Sequence, residues 1–571
     1  MLAILSIWFY VFLICLIYGG AAARLLLHLL GEANPDPGRL PLSLLTILGL
    51  SLVTTLAGYL SLFIKIALLA NALVFLGALL LAGIYYEELT HCLQAGLRRL
   101  FALHKYILAL FFLIFLFILV RSAAPPSAFD TGLYHAQAIR WIEEYPVIPG
   151  LGNLHGRLAF NSMWLPANAL FGFSFLKVQP CHVLNGFFLL VFLFICLQGL
   201  SNLINRQYHF SNILRAGMAL PGLLVFKDQL SSPTPDVPVA LLICLLFVYY
   251  VQLRENHGEV PGQFFSLLIC FLAAWAITIK LSALPLALLI VAIAGKEIAR
   301  CHTRNLCLLA GGAAFLVLPY FLRNIWLSGY LLYPFPALDL FHFDWQVPPA
   351  AALAEKRAVE AFARDPGYVL TPAALNSAFA WAPTWFQQTL ADYGSKLARI
   401  LLPGLVLLVD CLVNAITRKT WEIDLGEIGK NAVLYLTAAG GLLFWFFTAP
   451  DPRFAMGYLL VAVIIIFIPL LKAFDYQVTR IFPWSLALLM LYFVAAFLPP
   501  DLPTLGQRLW LPAPYPQERL TVEEIQGRQV YFPGNPGGKC WYAPLPCTYH
   551  PVNFVFRGAG MKDGFQARSA P

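Results

Sequence analysis

Long apolar runs separated by short polar stretches recur along the whole chain, and the runs are continuous rather than alternating. Continuous runs of roughly 17–25 residues predict helices able to cross a bilayer core of about 30 Å, since only helices and closed barrels satisfy the backbone in lipid. About 14 spans are expected on this reading. They fall near 2–23, 42–63, 66–84, 106–122, 183–201, 212–227, 237–253, 263–279, 281–295, 306–326, 396–416, 431–448, 455–472 and 482–498. The pair flanking Lys280 has an alternative, a hairpin that dips in and out. The first run lacks a basic n-region and a small-residue cleavage site, which makes it a retained span rather than a leader.

Composition agrees with an all-α polytopic membrane protein: 60% of the 571 residues are hydrophobic and only 12% charged, with a mean hydropathy of +0.75. A soluble domain carries nearer a quarter of its residues charged. The polar stretches then assign sides. Arg98, Arg99 and Lys105 share one loop, Arg206 and Arg215 another, and Lys296, Arg300 and Arg304 a third. Arg418 with Lys419, and Lys472 with Arg480, complete the set. With alternating spans all five fall on one side, the cytoplasmic one by the positive-inside rule. These loops account for most of the net charge of +8, so it is no nucleic-acid footprint.

The opposite face receives the long polar insertions 123–182, 228–236, 328–395 and 449–454 and the tail from 499 onward. Function concentrates where irregular backbone is displayed on a rigid scaffold. Nine of the 11 cysteines lie in or beside apolar runs; the other two, Cys540 and Cys547, bracket CWYAPLPC in the tail. On an oxidising outer face they are expected to form a disulfide, and no second pair or His cluster completes the rival metal knuckle. The tail reads as a small β/loop appendage, too short for a large core and leaning on the membrane domain.

The chemistry-bearing segment is FDTGLYHAQAIRW, residues 129–141. Asp130 follows an apolar run, and helical spacing sets Asp130, Tyr134, Gln137 and Trp141 on one face. A carboxylate at the membrane boundary is costly unless water, a partner charge or a substrate stabilises it. An Asp here also serves as an ordinary helix cap, and that alternative stands beside the functional one. His135, Arg140, Glu143 and Glu144 follow, then a turn-rich stretch with His155, Arg157 and Asn161. A single His is more often structural than catalytic, and both His135 and His155 carry that alternative.

On these residues the chain resembles the GT-C glycosyltransferases, polytopic enzymes that take a sugar from a polyprenyl-phosphate carrier. The D-x-x-x-Y-x-x-x-A string of Asp130, Tyr134 and Ala138 looks like their first outer loop. PYFLRNIWLSGYLLYPFP, with Arg323, Asn324, Gly329 and Pro334, is similar to a stretch ending one of their later spans. PDPRF, bearing Arg453, resembles an arginine turn before one of the last spans, and ITIKLSALPL, around Lys280, resembles a Lys/Gly-Pro hairpin. The string FDTGLYHAQAIRWIEEY…LGNLHGRLAFN with CWYAPLPC also looks like a bacterial polytopic membrane-protein family that brings no activity with it. Two departures stand out. Many GT-C members carry paired acids in this loop, whereas Asp130 is followed by Thr131 and Gly132, and three extra spans precede the presumed core.

The resemblance implies a GT-C-like helical bundle at 106–498, preceded by extra spans at 1–105 and followed by the appendage at 499–571. It implies a lipid-linked sugar donor, membrane lipid, and an acceptor hydroxyl on a glycan, lipid or protein. The site would face the periplasm from a bacterial cytoplasmic membrane, with the C-terminus on that side. Asp130 is then the candidate base. Arg323 and Arg453 lead as cations for the departing phosphate, followed by Lys280 and Arg157. Tyr134, His135, His155, Asp236 and Asn324 complete the binding set, Asp236 as a candidate second acid ahead of Asp228. No cofactor is certain, and a divalent metal stays open. Snorkelling to the headgroups is the alternative for each basic residue, and the favoured one for Lys227. The aromatics Trp345, Trp381, Trp385, Phe386 and Tyr393 in 328–395 fit sugar stacking and an interfacial belt equally.

Other classes fit parts of the same pattern. A transporter or flippase would show ionisable groups at mid-depth and matching broken helices; here the acids gather towards one face and no repeat is evident. A polymerase or ligase would share the donor chemistry, and a non-catalytic assembly subunit would use the same loops to bind a partner. No nucleotide-binding, dinucleotide, zinc-helix or serine-elbow motif occurs.

Overall fold

A computed structural model of the chain describes residues 1–32, 36–255, 261–418, 426–497, 506–534 and 538–568. Lys419, counted above among the basic loop residues, lies outside them.

The apolar runs fold as helices, and among the described residues ten are long and apolar enough to cross a membrane, from Leu2–Leu29 to Pro452–Lys472. The ten include both members of the pair around Lys280, Gly262–Ile279 and Leu281–Ala299. The other four expected spans are helices of 17 residues: Leu68–Ile84, Phe210–Phe226, Ala432–Thr448 and Ile481–Phe497. At 1.5 Å per residue the described part of each reaches about 25 Å, at the lower limit for crossing a core of about 30 Å. The first of them is bent by 91° into Tyr86–Phe101. The bend follows the sequence: the apolar run ends at Ile84 and YEELTHCLQAGLRRLF is amphipathic. That helix has Glu87 and Glu88 in its first turn and Arg98 and Arg99 in its last, the order the helix dipole favours.

Many large apolar side chains stay outside. On Leu68–Ile84 alone, Leu68, Leu69, Leu73, Phe75, Leu76, Leu79, Leu80 and Ile84 are exposed. Such a continuous apolar surface is a lipid-facing one. Inside, the N-terminal helices are built into the body. Leu2–Leu29 and Leu42–Phe63 touch through Gly19 and Gly49, where a Cβ would run into the facing carbonyls of Leu45 and Cys15. The end of Leu42–Phe63 meets the first long loop, with Val147 N donating to Ser61 O at 2.8 Å and Ile66 N to Ile142 O at 2.8 Å.

The polar segments collect at two opposite ends. At one, Arg304 bonds the Leu30 carbonyl, Arg99 that of Leu40, His104 N the Ser201 hydroxyl, and Asn414 the Gln477 carbonyl. At the other, the segments 123–182 and 328–395 meet the tail, Arg557 pairing with Asp344, and the turns 228–236 and 449–454 lie beside Arg121 and Trp385. The tail holds an antiparallel hairpin, Leu520–Ile525 with Arg528–Pro533, whose turn residues Gln526 and Gly527 both have positive φ. A second short pair joins Phe554–Phe556 to Phe565–Ala567. Cys540 and Cys547 are disulfide-bonded as expected. The tail leans on the segment 123–182: Trp541 N donates to Gly132 O, Gln137 to the carbonyls of Trp541 and Ala543, and Arg140 to that of Tyr542.

Candidate functional site

Asp130 enters its helix through a wide π-type turn, Thr131–His135, before the α-helix Ala136–Glu144. Its side chain caps no backbone N–H. The capping alternative therefore does not describe it. Instead one carboxylate oxygen accepts from Arg453 Nη1 at 3.2 Å and the other lies 3.8 Å from Arg157 Nη1. The wide turn also changes the helix phase, so the face expected from regular spacing splits. Asp130 and Tyr134 stay with the charged cluster, while Gln137 bonds the tail and Trp141 packs edge-on against Phe565.

Arg453 is held by its own turn. Asp451 caps the helix Pro452–Ile465 by accepting from Arg453 N at 3.0 Å, and its other oxygen accepts from Arg453 Nε at 2.9 Å. Tyr393 donates to Asp451 at 3.3 Å, and the indoles of Trp385 and Trp445 bond the carbonyls of Pro450 and Asp451. This network aims one guanidinium nitrogen at Asp130. Asp236, the first residue of Asp236–Glu255, pairs with Lys280. Lys280 sits in the extended break after Gly262–Ile279, its ammonium 3.8 Å from the centroid of the Phe454 ring.

Arg157 lies in the short 3₁₀ turn Gly156–Ala159, and His155 Nδ1 accepts its backbone N–H at 3.1 Å. Burial and the neighbouring Arg157 charge push His155 down from 6.5 to about 3, so it stays neutral with that acceptor free. It orders Arg157. His135 is also buried and neutral: burial outweighs Asp130 and Asp236 and brings it from 6.5 to about 4. The Tyr134 hydroxyl is pushed well above its usual range, by burial first and then by the Asp130 charge.

Three contributors escaped the sequence reading. Glu355, on Pro349–Arg364, lies 3.7 Å from Arg157 Nε. Burial raises its carboxyl above the ordinary value although Arg157 pulls the other way. Asp451, inside PDPRF, holds Arg453 in place, a role its motif does not signal. Lys396 lines a crevice with Arg453, Asp236, Tyr393 and Gln229, floored by Val225, Phe226 and Met456. The signal for Lys396 was its position three residues after Tyr393, one turn along the same helix face.

Arg323 and Asn324 do not join this cluster. Arg323 bonds Ser61 Oγ at 2.6 Å and Asn161 Oδ1 at 3.2 Å in a separate crevice, and Asn324 donates to Leu331 O at 2.9 Å. Asp228 is occupied by Lys227 and Arg121. Asp130 and Asp236 each face a basic side chain. No group of three or more His, Cys, Asp or Glu able to hold a metal occurs among the described residues.

What this geometry defines as a class is a helical, membrane-type protein with paired acids and arginines at one end. By sequence the chain belongs to the DUF8201 family, a domain of unknown function matched over residues 1–460, which includes the N-terminal spans and every cluster residue named above. No curated protein and no solved structure matches it.

Proposed function

We propose that this is a membrane glycosyltransferase of GT-C type that moves a sugar from a polyprenyl-phosphate carrier to an acceptor hydroxyl. All 14 predicted helices span the cytoplasmic membrane on this reading, the 17-residue ones where the bilayer thins or the helix ends are covered by protein. The Asp130 end and the C-terminal appendage then face the periplasm.

One observation carries the reading: Arg453 is shared between Asp130 and a crevice that sets Arg453 and Lys396 over an apolar floor, where the lining carboxylate, Asp236, is already paired with Lys280. A lipid phosphate needs that combination, charge for the head and apolar wall for the first isoprene units. Arg453 and Lys396 hold the phosphate. The acceptor O–H gives its proton to Asp130 as its oxygen attacks the anomeric carbon. The bond from that carbon to the phosphate oxygen breaks, and polyprenyl phosphate leaves with the electron pair, its charge held by the two cations. A phosphate bound to Arg453 competes with Asp130 for the guanidinium, so seating the donor frees the base.

The test uses full-length protein in lipid nanodiscs with polyprenyl-phosphate-linked radiolabelled sugars and a membrane extract as acceptor. Wild-type protein is expected to release polyprenyl phosphate. Asp130→Asn should lower the rate by about 10²-fold or more, the usual worth of a positioned base, with unchanged thermal unfolding. Full activity in that variant removes Asp130 as base, and no release from any donor by wild type defeats the reading.

A further inference from the structure

Arg323 is 3% exposed and has only neutral partners, the Ser61 hydroxyl and the Asn161 amide. Among the described residues no carboxylate lies in ion-pair range of it. A buried guanidinium without a counter-charge is expensive, and such groups persist where something else supplies the charge.

The space beside it says what kind of group that is. Arg323 and Asn161 line a crevice whose other walls are apolar, among them Trp141, Val147, Leu151, Leu165 and Leu327. The crevice sits where Leu42–Phe63 and Thr303–Ser328 end, and both helices expose aromatics there: Phe63 at 77% and Trp326 at 39%. Exposed rings at helix ends mark the lipid-facing border. A small free anion would satisfy Arg323 and leave the apolar walls wet. An anion with an attached hydrocarbon chain satisfies both.

We propose that the Arg323 crevice is a binding site for an amphiphilic anion, a phosphate headgroup on an apolar chain. The crevice is separate from the one containing Arg453 and does not rest on the transferase reading. Two lipids share this chemistry, a phospholipid such as phosphatidylglycerol and a polyprenyl phosphate.

Native mass spectrometry on delipidated full-length protein tests it, with phosphatidylglycerol, undecaprenyl phosphate, phosphatidylcholine and inorganic phosphate as separate probes. Wild-type protein is expected to retain an anionic lipid saturably and phosphatidylcholine at least tenfold more weakly. Arg323→Gln should lose one such site, with at least tenfold weaker retention, while Lys562→Gln, at an exposed charge on the tail away from both crevices, keeps it. Lipid-free Arg323→Gln should unfold no earlier than lipid-free wild type, because an unpaired buried charge has been removed. Retention of phosphatidylglycerol assigns a membrane headgroup, and of undecaprenyl phosphate alone a carrier lipid; either supports the site. Equal retention of phosphatidylcholine by wild type overturns it without any variant. So does unchanged lipid binding in Arg323→Gln, or saturation by inorganic phosphate alone. An intact lipid site in a protein without transfer activity defeats the transferase reading and leaves this one standing.

Discussion

His135 and His155 are buried at the end where the tail packs and held neutral, at about 4 and about 3 against an ordinary 6.5. The unfolded chain takes up protons near 6.5 that the folded one refuses, so stability falls as pH drops below 6.5 towards those folded values. Each histidine contributes about 1.4 kcal/mol per pH unit over its window. Thermal unfolding between pH 7 and 4.5 should show the midpoint dropping, and His155→Gln should flatten the slope; identical slopes would remove His155 from the account. At this scale Asp130 and Arg453 were legible, because a charge beside an apolar run stands out whatever its partner. Glu355 and Lys396 were not. They sit in ordinary amphipathic or span sequence, and only tertiary packing turns them towards Arg157 and Arg453. Arg323 shows the converse, a legible charge whose partners, Ser61 and Asn161, are far away in sequence.

Element by element, helices were readable because lipid demands long continuous apolar runs, and all 14 expected positions are occupied by helices. Length was not readable to the residue: among the described residues four of these helices run for 17. The π-type turn at Thr131–His135 was invisible to periodicity, which assumes constant pitch. The tail was read correctly as a disulfide-closed appendage, since its cysteines were the two outside apolar sequence. That bridge holds the carbonyls of Trp541, Tyr542 and Ala543 against Gln137 and Arg140. Closing a loop of this size is worth about 2–3 kcal/mol on chain-entropy grounds. Cys540→Ser should therefore loosen the tail, read as faster proteolysis of the 506–568 region with the membrane helices unchanged. A digestion rate equal to wild type would show that the bridge adds nothing.

Across the whole molecule, the two ends differ in chemistry. Cys301 is exposed at the end that gathers the basic loops. In intact cells a membrane-impermeant maleimide should not reach it, and permeabilised cells should label it fully; labelling of intact cells would invert the orientation. The contacts between the tail and the segment 123–182 have a consequence in time. Gly132 and Gln137 find their partners about 400 positions later in the chain, at Trp541 and Ala543. A ribosome adding about 5–20 residues per second needs tens of seconds to bridge that interval. Throughout it Gly132 and Gln137 lack these partners, so the Asp130 helix reaches its final packing only when the tail has been made. A version ending at residue 510 should insert normally yet expose the segment 129–144 to protease; full protection there would show that the helix settles without the last part made.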